Sequence, residues 1–558
     1  MIKTSVNRVS PVLHFLDTTF LENFMLKIDP NDKAKLIDPL FVTTPRFWIA
    51  AFALSAIVAW GLFMYARQLI FGLGETGMNR PVYWGVYMVN FIFFIGISHA
   101  GTLISAILRV TGAEWRRPIT RVAEAITAFA LIVGSLQIII DMGRPDRLIF
   151  VMLYGRLQSP ILWDVVSVTT YFLGSITYLY LPLIPDAAIL RDNCPPRAPA
   201  WQRLLYTVLA IGWRGTREQW IRLEKAIAFM AVFIIPVAVS VHTIISWILA
   251  TTVQPGWHSS IFGPYFVVGA IFSGIGALFI AMTAVRKVLK LENYITERQY
   301  GNLGLLFVTM NAIWAYFTFA EQLSIAAGQG LEEMPILAAK LWGEFAPAFW
   351  VMIGLMIVAF WILLVPKLLP ASLTTVPIFR RRSALASSGM AAFTLFLINS
   401  PQPSLLSGAI TSITGVAVTD SAVQTLGWVL VSIFVIGIGL GVSPWLKARP
   451  VTASVIASAC VVVGMWLERW NIILPTMTHP RLVPYAIYLP TMTEASLTAA
   501  SLALFGLMFL VFFKLFPAVS IWEIAEGRVI EEAKSKITIP APAPSEEAKH
   551  MRRWGIKH

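Results

Sequence analysis

The chain has 558 residues, of which 57% are hydrophobic and only 13% charged, and its formal net charge is +13. That composition excludes an ordinary soluble domain, in which about 25% of residues carry charge. Long unbroken apolar runs such as "FWIAAFALSAIVAWGLFMY" and "LALFGLMFLVFF" exclude a β-barrel, whose strands read as short alternating segments. They fit helices of roughly 20 residues that cross a hydrocarbon core, because backbone groups in lipid must be satisfied within the helix itself. The chain therefore reads as an all-α polytopic membrane protein, and its positive charge as basic cytoplasmic loops rather than nucleic-acid binding.

Residues 1–45 mix Lys3, Arg8, Asp17, Lys27, Asp29, Lys33 and Asp38 and lack the compact apolar centre of a signal peptide. Spans are predicted near 46–71, 83–111, 119–140, 160–183, 226–250, 261–289, 303–327, 346–368, 423–445, 451–473 and 496–516, with a shorter apolar segment at 384–399. The total is about 10–12 transmembrane helices. Arginine and lysine crowd the stretch before the first span and the connections after the second, fourth and sixth, and the alternate connections are sparse. By the positive-inside rule the N-terminus is cytoplasmic. One connection breaks the pattern. After the third span, "DMGRPDR" and its continuation bring Arg144, Arg147 and Arg156 to the outer side. An even span count would return the basic C-terminal tail to the cytoplasm, and "TIPAPAPS" at 538–545 reads as an extended linker. The expected layout is a cytoplasmic segment 1–45, a transmembrane core 46–370, additional helices 371–517 and a partly disordered cytoplasmic tail 518–558.

Few ionisable residues interrupt the spans, and each needs a partner or a purpose. Asp141 ends the third span, where the helix dipole is already negative and a carboxylate is disfavoured unless a cation compensates; Arg144 and Arg147 are near enough in sequence to do so. Ser159-Pro160 reads as an N-cap followed by a first-turn proline, which puts Asp164 beside Trp163 in the second turn of the fourth span, near a favourable dipole end. His99 lies in a polar stripe with Ser98, Thr102 and Ser105. Glu124 has Arg121 three residues before it, so an ion pair is the simpler reading. Glu468 adjoins Arg469 near an outer end, where snorkelling accounts for both. Glu321 has no basic neighbour in sequence and is the more suggestive glutamate. Two cysteines, Cys194 and Cys460, form no C-x-x-C pattern, so nothing in the sequence supports an iron–sulfur cluster or covalent haem in this chain. His99 and His242 are the only histidines inside spans, a poor basis for haem ligation.

The segments "YWGVYMVNFIFFIGISHAGTLISAILRVTGAEWRRPITRVAEAITAFAL", "MGRPDR", "SPILWDVVSVTTYFLGS" and "LIPDAAILRD" resemble the NrfD/PsrC family of quinone-interacting membrane subunits over about residues 80–370. Within it the chain most resembles the larger ActC-type subunit of alternative complex III, except that Asp141 stands near where that pattern has a histidine. A polysulfide-reductase-like molybdoenzyme subunit is the alternative. The resemblance implies helical bundles in a bacterial plasma membrane, with no metal of their own. It further implies bound menaquinone or ubiquinone near the outer face, a ferredoxin-like iron–sulfur partner, c-type cytochrome subunits and a second NrfD-like subunit. It makes His99, Asp141 and Asp164 candidates for taking quinol protons, and Arg144, Arg147, Asn90 and Trp163 candidates for the quinone pocket or partner surface. Glu124, His242 and Glu321 become candidates for a proton route. A secondary transporter would instead show paired helix breaks at the midplane, which Pro182 and Pro236 do not supply. A purely structural anchor would tolerate neutralisation of Asp141 or Asp164.

Overall fold

The computed structural model describes residues 29–368, 381–398, 420–482 and 484–536. The predicted linker at 538–545, most of the N-terminal segment and residue 399 lie outside the described residues. The helices are α1 (Pro45–Phe71), α2 (Val86–Val110), α3 (Thr120–Asp141), α4 (Pro160–Tyr180), α5 (Leu183–Asp192), α6 (Ala200–Leu209), α7 (Arg217–Ala250) and α8 (Phe262–Val288). They continue with α9 (Glu297–Gly328), α10 (Met334–Leu341), α11 (Ala346–Leu368), α12 (Arg381–Ile398), α13 (Asp420–Lys447), α14 (Pro450–Thr478), α15 (Met492–Leu515) and α16 (Ile521–Lys536). Among the described residues nine helices are long and apolar enough to cross a membrane, and α4 with α5 makes a tenth span bent by 42°. The protein is a multi-pass membrane protein. Residues 384–398 of the shorter apolar segment fall within α12, which packs on α13.

Two four-helix groups form the centre. Helices α2, α3, α4 and α7 close one ring of contacts, and α8, α9, α11 and α14 close a second. Helix α2 joins them by packing on both α8 and α14. Its approach to α3 depends on Gly101, since a Cβ there would sit 1.7 Å from the Ala123 carbonyl oxygen. Helices α1 and α15 pair along the flank of the first ring. Asn90 fixes this joint: its amide donates to Thr498 (2.8 Å) and its oxygen accepts from the Trp466 indole (2.9 Å). Helices α7 and α9 begin earlier than their apolar stretches, at capping boxes built on Thr216 and Thr296.

Alternate connections share a face, as the span count requires. On the face where the described chain begins, Arg528 meets Asp32 (2.7 Å), Lys514 donates to the Val42 carbonyl (2.7 Å) and Tyr206 donates to the Leu515 carbonyl (2.8 Å). On the opposite face, Gln68 donates to the Ile140 carbonyl (2.8 Å), Thr491 to the Glu75 carbonyl (2.9 Å) and Trp257 to the Ile472 carbonyl (3.0 Å). The loop carrying Arg144 and Arg147 belongs to this opposite face, with Gly143 against Leu73.

The bend between α4 and α5 explains where Arg121 goes. Pro182 lacks the N–H that would continue the ladder, and its carbonyl accepts from Arg121 (3.2 Å) and from the Trp522 indole (2.9 Å). Arg121 then pairs with Asp186 at 2.5 Å, both fully buried. The expected Arg121–Glu124 pair is therefore corrected: the broken helix offers Arg121 a carboxylate and a free carbonyl together. Replacing Asp186 with Ala leaves Arg121 buried and uncompensated, and should cost about 3–5 kcal/mol. Thermal unfolding of the detergent-solubilised protein measures this, with the apolar pair Arg121→Met and Asp186→Leu expected to recover most of the loss.

The same face locks α16. Glu523 is 1% exposed and meets Arg109 at 2.5 Å and Arg116 at 3.5 Å, while Arg117 reaches the Glu523 carbonyl and Glu526. Burial pushes the Glu523 carboxyl up, but the Arg116, Arg109 and Arg117 guanidiniums outweigh it and hold it below the usual range. A depressed carboxyl lends stability that is complete above its unfolded value of about 4.3 and vanishes as pH falls through the folded one. The protection of α16 amides, taken relative to unfolded-chain exchange at each pH, should therefore fall on acidification below about pH 4.3, and Glu523→Gln should remove that dependence.

Candidate functional site

Asp141 ends α3 at the opposite face, and its Oδ1 is buried without a hydrogen-bond partner. Arg144, expected to answer it, instead makes an exposed two-pronged pair with Asp146 at 2.9 and 2.8 Å. The turn after the helix carries the guanidinium outward to its nearer acidic neighbour. Around Asp141 stand groups that accept or donate protons. Tyr87 donates to Gln68 (2.7 Å), the Tyr65 hydroxyl and Gln137 Oε1 are buried and unpartnered, and Asp141 and Glu494 both act electrostatically on Tyr87. Glu494 is already satisfied by Gly77 N–H (2.8 Å) and the Tyr488 hydroxyl (2.6 Å). Asp141 is thus the carboxylate left open among these α1, α2, α3 and α15 side chains.

Asp164 sits in the second turn of α4, and its Oδ1 is also buried and unpartnered. Ser159 occupies the N-cap with Pro160 at the first turn, but its side chain makes no capping bond. Trp163 donates to the Leu157 carbonyl (2.6 Å) and is 40% exposed. Between the two aspartates, the short helix Leu148–Leu153 exposes Ile149, Phe150, Met152 and Leu153. Asn90, by contrast, is spent entirely on the helix joint described above.

His99 lies about 18 Å along α2 from Tyr87, at 1.5 Å per residue, and so apart from Asp141. Its Nδ1 is 2.8 Å from the Ile95 carbonyl and its Nε2 2.5 Å from the Ala238 carbonyl. Carbonyls only accept, and a neutral imidazole has one N–H, so the ring can donate to only one of these two carbonyls at a time. His242 packs its ring 3.9 Å from His99, centroid to centroid, with both nitrogens buried and unpartnered. Toward the N-terminal face, Thr127 and Tyr171 donate to the Ser98 carbonyl, and Ser105 donates to Glu124 (2.8 Å) beside the Tyr178 hydroxyl (3.3 Å). The polar stripe of α2 thus runs inside the first ring from His99 to Glu124.

The second ring holds what the sequence reading missed. Glu468 and Arg469 are each 1% exposed and pair at 2.5 Å, so neither snorkels. They lie on the interior side of α14, where no interface is within reach. The Trp314 indole donates to Glu468 at 2.5 Å, and the Arg469 guanidinium lies 5.2 Å from the Phe266 ring centre. Gly269 makes the room, since a Cβ there would meet Arg469 Nη2 at 2.9 Å. Arg469 also acts electrostatically on His99 and His242, which couples the two rings. The signals available were Gly96 and Gly269 in helices facing α14, legible only once the helices are packed. Glu321 accepts from Ser259 and shares a small polar cavity with Lys340 and Glu468.

Comparison with known proteins agrees with this architecture. The family model described as polysulphide reductase, NrfD, matches residues 74–405, more than half of the chain. A Halobacterium salinarum protein, described as a membrane subunit of dimethyl sulfoxide reductase, is 30% identical over 64% of this chain and 76% of its own length. The Hdr-like menaquinol oxidoreductase integral membrane subunit of Archaeoglobus fulgidus is 24% identical over 50% of this chain and 60% of its own. A selenate reductase subunit of Mesobacillus selenatarsenatis is 23% identical over 47% of this chain and 62% of its own.

Proposed function

The chain belongs to the polysulphide reductase NrfD family, and from that membership we propose that it is the quinone-reactive membrane subunit of an electron-transfer complex in a bacterial plasma membrane. The sparse positive charge of the opposite face makes it the outer one. There the chain oxidises menaquinol or ubiquinol, and the observation that carries the reading is a pair of buried, unpartnered carboxyl oxygens near that face, on Asp141 and Asp164.

Quinol releases electrons only as its two hydroxyl protons leave, so its pocket needs acceptors whose oxygens are not already committed. Asp141 and Asp164 meet that condition; Glu494 does not. Tyr65, whose buried hydroxyl has no partner, is the group left to hold a head-group oxygen beside Asp141, since Tyr87 and Gln68 are already bonded to each other and to the Ile140 carbonyl. The apolar exposed helix Leu148–Leu153, with Arg144 and Arg147 at its start, supplies the surface for an iron–sulfur partner of ferredoxin type that takes the electrons. His99, His242, Glu124 and Glu321 form the interior proton route rather than the quinol pocket.

Two complexes are compatible with this role. One is an alternative-complex-III-like assembly with c-type cytochromes and a second NrfD-like subunit, where this chain is the ActC-type member. The other is a terminal reductase of the polysulfide-reductase-like molybdoenzyme kind, supported by relatives named as subunits of dimethyl sulfoxide and selenate reductases. The proteins that co-purify with the chain separate the two.

Asp141→Asn and Asp164→Asn should each lower quinol oxidation by the purified complex by about 100-fold or more, the usual scale for a lost proton acceptor. Arg144→Gln should leave quinol-analogue binding intact and slow only electron delivery to the partner. Wild-type quinol oxidation in both aspartate variants would sink the site.

A further inference from the structure

Lys340 is a lysine with no role in any of the above. It projects from α10, at the opposite face, and is only 7% exposed. Among the described residues its amine makes no hydrogen bond and no ion pair; Glu321 and Glu333 act on it only at longer range. A buried, strongly hydrated point charge without a direct partner needs water. The cavity it faces is about 20 Å³ and is also lined by Glu321 from α9, Glu468 from α14 and Tyr265 from α8. That is room for about one water, which needs two to four polar partners. Two further atoms in the wall, Gln322 Oε1 and Asn471 Oδ1, are buried and unpartnered. They are the acceptors such a water would bond.

The cavity also adjoins a series of charged and polar side chains that the Phe266 ring interrupts. Glu468 lines it and pairs with Arg469, whose guanidinium lies over Phe266; the Phe266 ring lies 6.5 Å from His242, and His242 lies against His99. From His99 the stripe continues through Ser98, Tyr171, Ser105 and Tyr178 to Glu124, next to the Arg109–Glu523 lock.

We propose that the cavity bounded by Glu321, Lys340 and Glu468 is a water-holding proton-exchange chamber, joining the outer face to the histidine pair through the Glu468–Arg469 ion pair. The step balances within the site. The Lys340 ammonium loses one N–H proton to the cavity water, which passes a proton to the Glu468 carboxylate. Lys340 becomes a neutral amine and Glu468 a neutral acid, with no change in total charge. Protonating Glu468 releases Arg469 from its pair and shifts positive charge toward His242. Burial draws the Lys340 amine down to about 8, against the opposing pull of Glu321 and Glu333, which brings its release of a proton within physiological reach. The inference rests on the quinone-linked reading for its driving force, but its residues are separate from Asp141 and Asp164.

The test uses the intact complex in sealed vesicles, reading quinol oxidation and charge movement together. Lys340→Met should oxidise quinol within about 2-fold of wild type when an uncoupler is present, and should lose at least about 10-fold in charge moved per quinol when it is absent. These scales suit a removed proton carrier. Lys340→Arg keeps a cation, and hence the local fold, but cannot release its proton; it should fail in the same way. Wild-type charge movement in both variants overturns the chamber while quinol oxidation stands. Charge movement preserved in Lys340→Arg but lost in Lys340→Met also overturns it, because the lysine would then act only as a fixed charge. Absence of quinol oxidation in the wild-type complex defeats the functional reading itself, and the chamber's drive with it.

Discussion

A charge inside a lipid-embedded bundle has neither bulk water nor lipid head group to answer it, so the protein must supply the counter-charge or the dipole itself. Three buried arginines are each answered by a carboxylate. Arg121 has Asp186 and two carbonyls, Arg109 has Glu523, and Arg469 has Glu468 and the face of Phe266. Each partner comes from a different part of the chain or from an adjacent position forced inward. Helix placement follows from these pairings as much as from apolar packing. The break at Pro182 exists where Arg121 needs a carbonyl, and Gly269 stands where a guanidinium must pass.

Against that background the unanswered groups acquire meaning. Asp141 and Asp164 hold oxygens that no side chain reaches, although Arg144 is three residues from the first of them and turns away to Asp146. Lys340 and His242 are unanswered in the same sense, one facing a cavity and the other facing a second imidazole. Buried polar atoms left open cost stability, and these four groups lie either near the opposite face or in the interior of the bundle.

Much of the fold was legible in the sequence because lipid solvation imposes a strong local rule. The long apolar runs became helices close to their predicted limits, and the alternation of basic loops gave the correct sharing of faces. The misplaced limits have local causes: Thr216 and Thr296 cap α7 and α9 one or two turns before the apolar stretch, and Pro182 ends α4 early. Individual partners were not legible. Sequence proximity suggested Arg121 with Glu124 and Arg144 with Asp141, while the structure pairs Arg121 across a helix break and Arg144 within its own turn. Snorkelling was expected of Glu468 and Arg469, but an end-of-helix position says nothing about which side of the helix faces protein. The two-ring architecture was likewise invisible, because helices that join the rings, α2 and α14, lie at opposite ends of the chain.

The lock on α16 has a consequence for how the protein is made. Arg109 and Glu523 are separated by 414 residues, so the ribosome releases the arginines of the second connection long before their carboxylate exists. Until then the inner end of the first ring holds three guanidiniums in contact with water or lipid phosphate. Closure of that end therefore cannot precede the synthesis of Glu523, and a chain stopped short of it would keep an open, positively charged mouth.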